Sequence, residues 1–91
     1  MKNVFKVEYS RSVLKSLKKL DKGTAKILLS YIEKHLINSV DPRSSGKALK
    51  GEYSGLWRYR IGNYRIIVEI IDDKLIIKLL KLSHRKDIYK Q

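Results

Sequence analysis

Two arginines lie on facing strands of a predicted β-hairpin, where they could bind an anion. The segments on either side of Gly62-Asn63 are rich in β-branched and aromatic residues, and this dipeptide suits a tight two-residue turn. In the register that such a turn sets, Arg60 lies opposite Arg65, and Arg58 shares their face of the sheet. Like charges that oppose each other directly destabilise a sheet, so we expect this face to bind an anion.

A histidine near the C-terminus is the candidate for moving protons beside such an anion. Histidine is the side chain type that most readily exchanges a proton near neutral pH, and His84 precedes another cation, Arg85. The second histidine, His35, falls on the apolar side of a predicted helix and is interpreted as a packing residue. On a purely structural interpretation, the arginines form a solvated outer face and His84 is a surface residue without a role.

Composition predicts one small, strongly basic domain spanning residues 1–91. The 21 Lys and Arg outnumber the 9 Asp and Glu, and the formal net charge of +12 favours a polyanion or a strongly acidic protein as partner. There is no cysteine, which excludes disulfides and thiol catalysis. No signal peptide or membrane span is predicted, so we expect a cytoplasmic protein without a membrane partner.

The elements that position these residues are predicted in the order β-α-α-β-β-β. Alternating apolar residues predict a first strand near residues 5–9, and Ser10 is predicted to cap the first helix. Apolar residues recur at helical spacing on both sides of Asp21-Lys22-Gly23, which predicts a helical hairpin. Residues 40–47 contain the only proline and are interpreted as a loop.

The last two strands are predicted to pair across Asp72-Asp73. A two-residue turn would set Val68 opposite Ile77, with apolar neighbours paired likewise, so that one face offers a continuous apolar surface to the helices. The predicted fold class is α+β, with the helical hairpin packed on one face of a mainly antiparallel four-stranded sheet. The opposite face then carries mostly charged residues: Arg58, Arg60, Arg65, Ile67, Glu69 and Lys78.

Two segments of the chain resemble the RelE/ParE superfamily of bacterial toxins. They are the run LKGEYSGLWRYRIGNYR of residues 49–65 and the C-terminal HRKDIY of residues 84–89. The predicted order of elements is also that of the family, so the resemblance covers almost the whole chain. It implies a microbial ribonuclease-type fold and a type II toxin of the RelE branch, which cleaves mRNA in the ribosomal A site. It also implies an acidic cognate antitoxin as partner.

In the RelE branch, the substrate's own 2'-hydroxyl attacks the adjacent phosphate, and neither a metal nor another cofactor takes part. This reaction requires a base, an acid and cations that stabilise the negative charge of the phosphorane. The expected catalytic residues are Arg60, Arg65, His84, Arg85 and Tyr89, of which Tyr89 would stack on a base or orient the phosphate. The expected contacts to the backbone of mRNA and rRNA come from Lys47, Lys50, Arg58, Lys81 and Lys86.

One departure from the family concerns the general base. The best-known RelE-type toxins carry lysines in the strand where this chain has Arg58 and Arg60. Arginine stays protonated in proteins and cannot readily accept the proton. The base is then His84, Lys50 or a water molecule, and the division of roles between acid and base stays open.

Three other functions are compatible with the sequence. A ParE-like toxin would share the fold but inhibit DNA gyrase. A nucleic-acid-binding module without catalysis would explain the charge but leave His84 and Tyr89 without a role, and an inactive toxin would serve only to bind the antitoxin. A metal-dependent nuclease and a nucleotide-binding protein lack support, because the sequence has no cluster of carboxylates and histidines and Gly46–Gly51 does not form a phosphate-binding loop.

Overall fold

A computed structural model describes residues 4–84, which form one sheet and two helices. The helices are Arg11–Lys19 (α1) and Lys22–His35 (α2), and the strands are Lys6–Tyr9 (β1), Lys47–Ala48 (β2), Trp57–Ile61 (β3), Tyr64–Ile71 (β4) and Ile76–His84 (β5). The strand order is β1-β5-β4-β3-β2. Neighbouring strands are antiparallel except that β1 runs parallel to β5.

The predicted α+β class is confirmed, but the sheet has five strands rather than four. The additional strand β2 pairs with β3, with Lys47 opposite Arg58 and Ala48 opposite Trp57. The loop predicted at residues 40–47 therefore ends in a strand, which two residues are too few to reveal by alternation.

Both helices begin at side chains that cap their free backbone N–H groups. The hydroxyl of Ser10 accepts a hydrogen bond from the Val13 N–H (3.1 Å), and the carboxylate of Asp21 accepts one from the Thr24 N–H (3.0 Å). The apolar sides of the helices cover one face of the sheet and form the core with it. The fully buried helix residues are Val13, Leu28 and Ile32.

The loop before β2 is held to the sheet by Tyr59 and Arg43. Tyr59 is fully buried, and its hydroxyl donates a hydrogen bond to the Pro42 carbonyl. Burial raises the pKa of Tyr59 from its usual 10.0 to about 12, so the phenol stays a donor in the alkaline range where a tyrosine in water loses its proton. Arg43 forms a bidentate ion pair with Asp72, with two hydrogen bonds of 2.8 and 2.7 Å. The Cζ atom of Arg43 lies 5.7 Å from the ring centre of Trp57. These contacts hold the loop that leads into β2, the edge strand of the sheet.

The pairing of β4 with β5 differs from the predicted register. Asp72–Lys74 form a short 3-10 turn and Leu75 adopts a left-handed conformation (φ 53°), so the connection is longer than two residues. Val68 consequently lies opposite Leu79 rather than Ile77. The two strands still share an apolar face, because this shift is by two residues and preserves the alternation.

A β-bulge at Leu80 interrupts the alternation of β5. Val68 pairs with Leu79 and its neighbour Ile67 pairs with Lys81, so Leu80 is an extra residue without a partner on β4. The Ser10 hydroxyl donates a hydrogen bond to the Leu80 carbonyl (3.1 Å), which links the bulge to the start of α1. Residues after the bulge therefore point to the opposite face from the one that strict alternation predicts.

Candidate nucleic-acid interface

A cleft on the face of the sheet away from the helices gathers basic and apolar side chains. We call it the outer-face cleft; its volume is about 160 Å³ and its lining is Leu49, Tyr53, Arg58, Arg65, Ile67, Lys81 and Ser83. Strands β3, β4 and β5 supply the floor, and the segment after β2 supplies the wall. Among the described residues, three cations and no carboxylate line the cleft, so its charge suits an anion.

Arg65 occupies the central strand of this face. It lies opposite Arg60 on β3 and Ser83 on β5, which confirms the predicted opposition of the two arginines. The Nε atom of Arg65 is buried and has no hydrogen-bond partner among residues 4–84. A buried donor without an acceptor costs free energy, so an anionic oxygen in the cleft would stabilise this guanidinium group.

Arg60 and Arg58 take different places on the outer face. Arg58 is partly buried and lines the cleft, whereas Arg60 is exposed and lies next to it, nearer the β3–β4 turn. The turn itself has the predicted position, and Gly62 takes the positive φ (57°) that such a tight connection needs. Of the predicted arginine pair, Arg65 therefore faces the cleft and Arg60 lies at its edge.

His84 lies on the other face of the sheet, which corrects its expected placement beside the arginines. It pairs with Tyr64, and the two rings meet edge to face with their centres 4.9 Å apart. The two rings border a cavity of about 200 Å³ beside α1, together with Ser16, Lys19, Leu20 and Leu82. The Leu80 bulge is the cause, because it moves every later residue of β5 to the opposite face.

The same bulge brings Lys81 into the cleft. From the sequence, Lys81 was predicted only to contact the RNA backbone. Lys47 and Lys50 are exposed and lie near the cleft wall, with Lys47 opposite Arg58, but neither lines the cleft. The roles of all three lysines stay predictions. The remaining candidates, Arg85, Lys86 and Tyr89, lie outside the described residues.

Four residues of the cleft were not among the predicted site residues. Leu49 and Tyr53 belong to the run that resembles the toxin family, but their types alone do not indicate that they face the arginines. Ile67 follows from strand alternation, which already placed it on the charged face. Ser83 could not be found from the sequence, because its position depends on the bulge.

Between residues 4 and 84, no group of three or more His, Asp or Glu side chains gathers where it could hold a metal ion. No helix in the same range is long and apolar enough to cross a membrane.

Residues 7–89 match a family model described as the ParE toxin of the type II toxin-antitoxin system parDE. This chain belongs to the RelE/ParE family of type II toxins. The toxin is 35% identical over 86 residues to Toxin RelE3 of Methanocaldococcus jannaschii, a match that spans 92% of this chain and 94% of the relative. It is 36% identical over 53 residues to Toxin RelG of Mycobacterium tuberculosis, where the match spans 58% of this chain and 61% of the relative.

Solved structures of other toxins share the fold of this toxin. The RelBE2 toxin-antitoxin complex of Mycobacterium tuberculosis superposes with a TM-score of 0.81 at 26% identity, covering 90% of this chain and 99% of that one. The archaeal RelE-RelB complex of Pyrococcus horikoshii OT3 gives a TM-score of 0.70 at 30% identity, covering 90% and 96%. The resemblance drawn from residues 49–65 and 84–89 is thereby confirmed at the level of the family.

Proposed function

We propose that this toxin is a ribosome-dependent endoribonuclease that cleaves mRNA in the A site by attack of the substrate's 2'-hydroxyl. The observation that carries the proposal is the outer-face cleft, in which Arg58, Arg65 and Lys81 converge without a carboxylate among the described lining residues. Cations held in this way bind a phosphate and stabilise the additional negative charge of the phosphorane. The curated relatives named RelE3 and RelG support the RelE-like assignment.

Arg65 is the main phosphate-binding residue of the proposed site. Its side chain extends from the central strand β4 with its Nε atom buried, and a planar fork of donors suits two non-bridging phosphate oxygens. Arg58 and Lys81 approach from the strands on either side and neutralise the same group. Arg60, at the edge of the cleft, would bind a neighbouring phosphate of the chain.

Proton transfer requires a group other than arginine, because arginine stays protonated. Since His84 is on the other face of the sheet, we propose Lys81 as the general acid, which donates a proton to the leaving 5'-oxygen. The proton of the 2'-hydroxyl passes to a water molecule or to the nearby Lys50. The predicted roles of Arg85 and Tyr89 in the same reaction stay predictions.

An acidic antitoxin is the proposed partner that holds the toxin inactive. The net charge of +12 favours an acidic chain, and an acidic segment that folds on binding would offset part of it. The similar structures from Mycobacterium tuberculosis and Pyrococcus horikoshii are complexes of a toxin with its antitoxin.

The endoribonuclease proposal is tested by primer extension on a message translated in the presence of the toxin. We expect cuts in register with A-site codons. We expect Arg65→Ala to lower the cleavage rate at least about 100-fold, the effect of removing one hydrogen-bond donor that stabilises the charge of a transition state. Arg11→Ala, which removes an exposed arginine from α1 outside the cleft, is the matched control and should cleave as the wild type does. Intact messages, or equal cleavage by Arg65→Ala, would refute the proposal.

Inhibition of DNA gyrase is the second candidate function, because the matching family model is that of the ParE toxin. A supercoiling assay with purified gyrase distinguishes the two candidates. Inhibited supercoiling together with intact translated messages would favour the ParE-like function.

A further inference from the structure

We propose that the outer-face cleft contains a subsite for one unstacked nucleobase, formed by Leu49, Tyr53 and Ile67 beside the phosphate-binding arginines. This inference rests on the proposed action on RNA, and it adds that the cleft binds a base as well as a phosphate. The ligand class is single-stranded RNA with at least one base turned out of its stack.

The apolar part of the cleft is not needed for binding a phosphate. Most other described side chains of the outer face are charged and exposed, as at Arg60, Glu69 and Lys78, whereas Ile67 and Leu49 are only partly exposed. Tyr53 is 46% exposed and lies outside the core, so its ring is open to contact with a ligand. Apolar and aromatic surface next to cations is what an unpaired nucleotide requires, because its base is flat and its phosphate is charged.

The size of the cleft suits a single ring system. An apolar cavity of about 150 Å³ holds one benzene ring, and the outer-face cleft has about 160 Å³ and opens to solvent. A base within a duplex could not enter, since its faces are covered by the neighbouring pairs. The cleft therefore selects single strands by shape.

The chain holds Tyr53 at the mouth of the cleft. Tyr53 ends the 3-10 turn Gly51–Tyr53, and its carbonyl accepts a hydrogen bond from the Leu56 N–H (3.1 Å). Leu49 donates its N–H to the Leu56 carbonyl (2.9 Å), which closes the loop at its base. Gly51 and Gly55, which flank Tyr53 in the sequence, take positive φ values (69° and 96°), a conformation that glycine adopts without strain. The ring is thus presented by a short, closed loop.

Binding of two fluorescently labelled oligoribonucleotides to the purified toxin, followed by anisotropy, tests the subsite. One is a tetranucleotide, and the other has the same backbone with abasic sugars, so both carry the same charge and the same salt dependence. We expect the wild type to bind the base-containing strand about 5- to 150-fold more tightly, the range for one stacked base. Tyr53→Ala should remove this preference, Tyr53→Phe should keep it, and Arg65→Ala should weaken binding of both strands by the same factor.

The control for an exposed apolar side chain is Ile27→Ala on α2, which is 64% exposed and does not line the cleft. It should leave both affinities unchanged. Equal affinity of the wild type for the two strands would overturn the subsite, as would an unchanged preference in Tyr53→Ala. If the toxin prefers the base-containing strand but does not cleave translated messages, the subsite is supported and the endoribonuclease proposal is refuted. If it cleaves translated messages but binds both strands equally, the endoribonuclease proposal is supported and the subsite is refuted.

Discussion

At the scale of single residues, Arg65 and Tyr59 show how one strand pair serves both faces of the sheet. They lie on neighbouring strands, Arg65 on the outer face and Tyr59 fully buried beneath the helices. Alternation along the strands makes this division, which the sequence already shows in the pattern Trp57-Arg58-Tyr59-Arg60. The buried side chain determines stability, and the outer one is free to serve binding.

Tyr59→Phe tests the buried hydrogen bond. The substitution leaves the Pro42 carbonyl without its donor, and we expect the free energy of unfolding to fall by roughly 1–3 kcal/mol. Urea unfolding with an unchanged m-value measures this loss. Because the pKa of Tyr59 is raised to about 12, wild-type stability should also decline as pH rises from about 10 towards 12, and the variant should lack this part of the decline. Tyr53→Phe, which alters an exposed hydroxyl, is the control; equal stability of wild type and Tyr59→Phe would contradict the expectation.

At the scale of elements, the bulge in β5 decides which side chains reach the cleft. Local signals in the sequence predicted the helices, the β3–β4 hairpin and the apolar face of the sheet, because periodicity and turn residues act over a few positions. The strand β2 and the bulge at Leu80 lack such signals. Both depend on contacts between distant segments, of β2 with β3 and of Ser10 with Leu80.

Ser10 variants separate the helix cap from the link to the bulge. Ser10→Ala removes both hydrogen bonds of the hydroxyl and should lower the free energy of unfolding by about 0.5–2 kcal/mol. Ser10→Asp can still cap α1, but an ionised carboxylate cannot donate to the Leu80 carbonyl. We expect hydrogen exchange at Lys81–Ser83 to become faster in both variants, and exchange at Val13 to become faster only in Ser10→Ala. Wild-type exchange rates at Lys81–Ser83 in both variants would show that Ser10 does not hold the bulge.

At the scale of the whole molecule, the dominant property is the net charge of +12. The described residues span 41 × 32 × 22 Å, so at low salt, where the Debye length is about 30 Å, charges repel each other across the entire structure. Some of this charge lies far from the cleft, on the exposed side of α1 at Arg11, Lys15 and Lys19. That the chain is a single domain over residues 1–91 and is cytoplasmic stays a prediction.

Salt should therefore stabilise the free toxin. We expect the free energy of unfolding to increase as NaCl rises from about 10 to 150 mM, since screening shortens the Debye length to about 8 Å and weakens the repulsion. The double variant Lys15→Glu with Lys19→Glu lowers the net charge from +12 to +8 and should show a smaller increase. Urea unfolding at several salt concentrations measures the effect, and stability that falls with NaCl would contradict it.

The sequence by itself determined the arginine pair, the helical hairpin, the fold class and the family, because each depends on residue types at short spacing. Only the tertiary structure decided which groups share a site with Arg65. Lys81 and Ser83 lie on the outer face and His84 lies beside Tyr64 because a single extra residue, Leu80, reverses the alternation of β5. The carbonyl of Leu80 accepts a hydrogen bond from the hydroxyl of Ser10, 70 positions earlier in the chain. The alternation of residue types within one strand cannot reveal a contact over that distance, so the sequence could not show which face of the sheet His84 takes.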